Sequence, residues 1–169
     1  MFGIFKKKKQ IAIWETDFDD IWKIEDKNHF LIAMNGWICK KCNYGDDIEK
    51  LTAAEKSFYL VFQLEGEVNN GGFSQFFFNH SGKYANELEA ALVEIGANNM
   101  AEIFRNLLFA LKQEIPTNWE ERAKMISDLP DGFDNIFTQY DNEFYNYPDN
   151  LEELSYQFIQ RNRKQFLRT

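Results

Sequence analysis

A chain that places Asn69-Asn70-Gly71-Gly72 between two strongly apolar runs has to change direction inside its own core. Upstream, Phe58, Tyr59, Leu60, Val61, Phe62, Leu64 and Val68 cover most of a helix's circumference, which marks a buried helix rather than a surface one. Thr52-Ala53-Ala54-Glu55 supplies the hydroxyl and carboxylate of a capping box where that helix starts. Downstream, Phe73, Phe76, Phe77 and Phe78 follow at once. The expected structure is a buried helix to about Val68, an end at Asn69-Asn70, a turn on two glycines, and a Phe-rich helix packing straight back.

The remaining segments read as helices. Phe18, Ile21 and Trp22 suggest a short amphipathic turn. In residues 28–42, Phe30, Ala33, Met34, Trp37 and Ile38 fit the helical template, while Asn35-Gly36 is also a hairpin-turn signal; helix is the preferred reading and one β-hairpin the alternative. Leu88, Ala91, Leu92 and Ile95 face inward on a helix closed by Gly96, and Asn98 or Asn99 is the expected cap of the next, striped by Met100, Ile103, Phe104, Leu107 and Leu111. Asn118 or Thr117 opens a shorter helix through Trp119, Ala123 and Ile126. Phe133, Ile136, Phe137, Tyr140 and Phe144 form another stripe before Pro148, and Asn150 opens a last helix that runs to a basic end. With 169 residues, three Pro and nine Gly, the fold expected is all-α: a single-domain compact multi-helix bundle of about seven to nine helices over residues 16–169, behind a poorly ordered N-terminal extension of residues 1–15.

Charge narrows the partners. The net charge is −8 and the sequence pI about 4.8, which argues against direct nucleic-acid binding and favours a basic partner. Residues 116–154 hold ten acids against two bases, so the acid is concentrated late. Met1 opens a segment with Phe2, Ile4, Phe5 and four Lys, too short for a membrane span or a secretory core. Two cysteines without a signal peptide point to a reducing cytoplasm.

Little in the chain reads as catalytic. Cys39 and Cys42 are half a zinc site, but His29 and His80 are the only histidines, and neither a metal nor another cofactor is expected. Glu65, Glu67, Asn69, Gln75, Asn79 and His80 are able to line a pocket, and an enzyme using Glu67, Asn70 and His80 is the least favoured reading. The plainer reading gives the glycines a structural turn and the amides the task of satisfying buried backbone groups. The acids of the late segment are Glu120, Glu121, Asp128, Asp131, Asp134, Asp141, Glu143, Asp149, Glu152 and Glu153. Carboxylates three or four residues apart on a helix lie roughly 5–6 Å apart, of the same order as phosphates along a DNA strand. A file of them is suited to Lys and Arg sites built for DNA.

The run Leu64-Glu65-Gly66-Glu67-Val68-Asn69-Asn70-Gly71-Gly72-Phe73-Ser74-Gln75-Phe76-Phe77, then Asn79 and Gly82, then Ala91-Leu92 and Ile95-Gly96-Ala97, resembles the signature of a bacterial domain-of-unknown-function family whose described branch is a DNA-mimic protein. Asp141-Asn142-Glu143-Phe144-Tyr145 and residues 156–166 are similar to that family's C-terminal pattern, so the resemblance spans roughly residues 51–167. It implies an all-α fold and a signature of Glu67, Asn69, Asn70, Gly71, Gly72, Phe73, Asn79 and Gly82 that builds the fold. For the DNA-mimic branch it implies a homodimer whose acidic face occupies a transcriptional regulator or a histone-like nucleoid protein. The expectation is a non-enzymatic cytoplasmic protein that binds a basic protein surface; the alternative is an immunity or antitoxin-type protein that neutralises a basic toxin.

Overall fold

A computed structural model of the chain describes residues 12–112, 114–130 and 133–167. Among them are eight α-helices and no strand: α1 (Phe18–Ile21), α2 (Lys27–Lys41), α3 (Ala53–Phe78), α4 (Ala85–Ile95), α5 (Asn98–Leu111), α6 (Trp119–Ser127), α7 (Phe133–Tyr145) and α8 (Leu151–Arg161). This is the all-α bundle expected. Most of the N-terminal extension, residues 1–11, lies outside the described residues; Ile13–Glu15 form a 3-10 turn.

Local signals place most helix ends. Asp26 accepts from the His29 amide at the start of α2, Asn118 from Glu121 at the start of α6, and Asn150 from Glu153 at the start of α8. The capping box at Thr52 and Glu55 is complete. Glu55 is fully buried, and its carboxylate also binds the Lys41 ammonium at 2.8 Å, tying α2 to α3. Gly96 closes α4 in the left-handed region at φ 97°.

Two expectations change. Neither Asn98 nor Asn99 caps α5, since both lie inside it and Ala97 holds the cap position without a side-chain bond. The acceptor comes from far along the chain: Asp149 takes the Met100 amide and the Asn99 side-chain amide, each at 2.8 Å. The hairpin alternative at Asn35-Gly36 is excluded, because both residues lie within the uninterrupted helix α2. Gly36 is there for space. A Cβ on it would sit 2.9 Å from Trp14 Cα and closer still to the Trp14 carbonyl, so the 3-10 turn presses its backbone onto α2.

The core is one cluster centred on α3. The fully buried Phe104 of α5 meets the rings of Phe73, Phe76 and Phe77 at 6.1, 6.1 and 6.2 Å, and Phe144 and Phe137 of α7 close on Phe73 and Phe77 at 5.7 and 6.1 Å. Each such pair contributes about 0.5–1.5 kcal/mol beyond the area it buries. No helix among the described residues is long and apolar enough to cross a membrane.

Gly36→Ala therefore lowers stability although alanine gains about 1 kcal/mol of helix propensity. A net loss of about 1–3 kcal/mol is expected in chemical denaturation; a gain would show that the Trp14 contact is not a constraint.

Candidate functional site

The Glu67-to-Gly82 stretch folds as a sharp corner within α3. Helical geometry fails only at Gly71 (φ −165°, ψ 27°) and Gly72 (φ 73°, ψ −178°), which divides α3 into a long arm, residues 53–70, and a short arm, residues 73–78. In a straight helix Glu67 and Asn79 would be about 18 Å apart. Here the Asn79 side-chain amide donates to the Glu67 carboxylate at 2.7 Å, joined by that of Gln75 at 2.8 Å and the Ser81 hydroxyl at 3.3 Å. The amides of the corner thus serve a carboxylate, not the buried backbone groups expected for them.

Those backbone groups are satisfied by α7. The Phe73 amide, first of the short arm, donates to Asp141 at 2.7 Å. At the end of the long arm the Tyr145 hydroxyl donates to the Val68 carbonyl at 2.7 Å; just past α7, the Tyr147 hydroxyl accepts from the Asn69 side-chain amide at 2.5 Å. Gly72 is required twice: its φ lies in the left-handed region, and a Cβ would come within 2.9 Å of Asp141 Cγ. Gly82 lies against the short arm, where a Cβ would be 2.6 Å from the carbonyls of Phe76 and Phe77. Asn70 is exposed, and its side chain makes no hydrogen bond among the described residues.

The far end of the short arm depends on Arg122 of α6, which is 1% exposed. Its guanidinium donates to the carbonyls of Phe77 (2.6 Å), Asn79 (3.0 Å), Pro116 (2.9 Å) and Thr117 (3.1 Å), and forms no ion pair among the described residues. Burial pushes its pKa down. The sequence reading passed over this residue. Its signal was positional: Arg122 shares a helix face with Trp119, Met125 and Ile126, unlike Lys124, the other base of the acidic segment.

His80 does not join Glu67. It is half-exposed beside Asp46 (3.0 Å) and the Lys83 ammonium (2.9 Å). Cys39 and Cys42 are buried free thiols; burial pushes Cys39 up to about 11 and raises Cys42 as well. Among the described residues no group of three or more His, Cys, Asp or Glu is arranged to hold a metal.

Eight of the ten late acids separate into two groups. Asp141 and Asp149 are helix caps, Glu153 pairs with Lys27 at 2.5 Å, and Asp128 pairs with Lys124. Asp131 and the side chain of Asp134 lie outside the described residues. That leaves Glu120 and Glu121 exposed on the first turn of α6, Glu143 on α7 and Glu152 at the start of α8, none in an ion pair among the described residues. Glu143 faces Glu102 of α5 across a groove of about 330 Å³ lined also by Asn99, Asn106 and Asn146. Glu102 lies outside the acidic segment, so charge counting along the chain could not find it.

Replacing Asp141 by alanine orphans the Phe73 amide and costs about 1–3 kcal/mol in denaturation. Asp141→Asn isolates the charge. Burial raises the Asp141 pKa above its ordinary 3.8, against an opposing contribution from the Phe73 amide, so the folded state holds the proton more tightly than the unfolded. Its stabilising contribution is present below pH 3.8 and is lost as pH rises through the raised value. The stability difference therefore moves in favour of Asp141→Asn between about pH 3 and 7, and a pH-independent difference would refute this. Arg122→Met, which removes the side-chain donor from four carbonyls, costs about 2–4 kcal/mol, with Arg122→Lys intermediate.

No curated protein and no solved structure matches the chain significantly. The model of the family described as DMP19-like protein matches residues 49–162, a span that holds the corner, the α7 residues that satisfy it and Arg122, and the chain belongs to that family.

Proposed function

We propose that the protein binds the basic surface of a DNA-binding protein, a regulator or a histone-like nucleoid protein, by presenting carboxylates where that partner would accept phosphates. The observation that carries this reading is that α5 to α8 present five carboxylates without a cationic partner among the described residues: Glu102, Glu120, Glu121, Glu143 and Glu152. Many of the bases are consumed internally, Lys27, Lys41, Lys50, Lys56, Lys83 and Arg105 each by an acid. The faces of α5 to α7 and the start of α8 thereby carry negative charge that no internal cation neutralises. Family membership supports the same reading through the resemblance to a DNA-mimic branch. Complementary charge of this kind governs association rate and partner choice more than affinity, and it weakens with salt.

The test is displacement. A fluorescent duplex bound to a purified histone-like nucleoid protein is titrated with this protein at low and at physiological salt. Release of the duplex is expected at low salt, with the competing affinity falling on the order of tenfold as salt rises to 0.2 M and again on Glu120→Lys with Glu121→Lys. Retention of the duplex at every concentration refutes mimicry. Binding that leaves the duplex in place would instead favour a partner whose basic surface is not a DNA site, such as a toxin.

A further inference from the structure

Gly66 has no structural reason to be glycine. It lies within the regular long arm of α3, is exposed, and a Cβ placed on it would meet nothing within 4 Å. At Gly36, Gly72 and Gly82 the fold itself excludes a side chain; at Gly66 only empty space would be filled. A glycine inside a helix costs about 1 kcal/mol relative to alanine, and nothing within the described chain offsets it here.

The space above Gly66 is a groove of about 260 Å³ between α2, α3 and the start of α8. Leu31, Ile32 and Phe62 form an apolar wall, and Glu65, Asn69, Asn28 and Glu152 complete the lining, the Asn28 side-chain amide donating to Glu152 at 3.4 Å. Neither carboxylate pairs with a cation among the described residues. Burial raises the Glu65 pKa, opposed by the Tyr147 hydroxyl, so a cation entering beside it would relieve a partly desolvated charge.

We propose that this groove receives an arginine side chain of the basic partner, which specifies the contact chemistry of the function proposed above and rests on it. The carboxylates supply the charge complement. The apolar wall takes the methylene stem, and the bare backbone at Gly66 lets a planar group lie flat against the helix. Guanidinium suits the site better than ammonium because it is less strongly hydrated, stacks on the Phe62 ring and forks toward carboxylates.

The experiment measures binding of fluorescent hexa-arginine and hexa-lysine peptides by anisotropy, alongside thermal melting, for the parent protein, Gly66→Ala, Gly66→Leu and Glu65→Gln. The parent is expected to prefer hexa-arginine. Gly66→Ala raises the melting temperature by about 2–4 °C, since the fold gains propensity and loses no contact. Gly66→Leu fills the groove without altering charge and weakens hexa-arginine binding by about tenfold while hexa-lysine changes less than about twofold. Glu65→Gln keeps a partner for Tyr147 and weakens hexa-arginine selectively, which serves if the leucine variant melts early. The groove is refuted if both peptides bind the parent and neither a folded Gly66→Leu nor Glu65→Gln changes the hexa-arginine affinity. Failure of the parent to bind either peptide removes the acidic-surface reading itself, and the groove with it.

Discussion

A helix broken at the edge of a core leaves amides and carbonyls without their helical partners. Everything around the α3 corner answers that constraint. Asp141 takes the first amide of the short arm, Tyr145 supplies the hydroxyl for Val68, and Arg122 collects the carbonyls where the short arm ends. All three come from α6 and α7, more than forty residues further along the chain. The Phe-rich short arm packs against α5 and α7 because those helices carry both the apolar faces it needs and the polar groups that complete its ends.

This arrangement changes what the acidity of the chain means. Asp141 and Asp149 sit at helix N-termini that are not their own, where each carboxylate satisfies a backbone amide. They contribute to the formal charge but are committed to the fold. Of the late acids, those free to meet a partner form a smaller set, Glu120, Glu121, Glu143 and Glu152. Glu102 and Glu143 are neighbours only because α5 and α7 pack together.

The fold class and most helix boundaries were legible in the sequence because the signals are local: Thr52 with Glu55, Asn118, Asn150 and Gly96 act within a few residues of themselves. The sharpness of the corner also followed from Gly71-Gly72 between apolar runs. What local pattern could not show was where polar groups find partners across long separations. Asn98 and Asn99 have the right chemistry to cap α5, yet Asp149 does it, since docking of the α7 to α8 connection brings a stronger acceptor to the same amide. The amides of Gln75 and Asn79 were assigned to backbone groups because nothing in the sequence reveals that the corner folds them onto Glu67. The groove over Gly66 depends on the placement of α2 and α8, which no local pattern in the sequence reveals.

The dependence of the short arm on Arg122 and Asp141 also orders events in time. Six helical residues are too few to persist alone, because helix nucleation is costly and isolated helices shorter than about 12 residues are marginal in water. During synthesis the Phe73, Phe76 and Phe77 side chains leave the ribosome well before the groups that complete their helix. The long arm and α4 are able to associate early, while the corner stays open until α7 has emerged. For that interval the nascent chain exposes a Phe-rich segment, and closing the corner is a late, cooperative step that joins the two halves of the molecule.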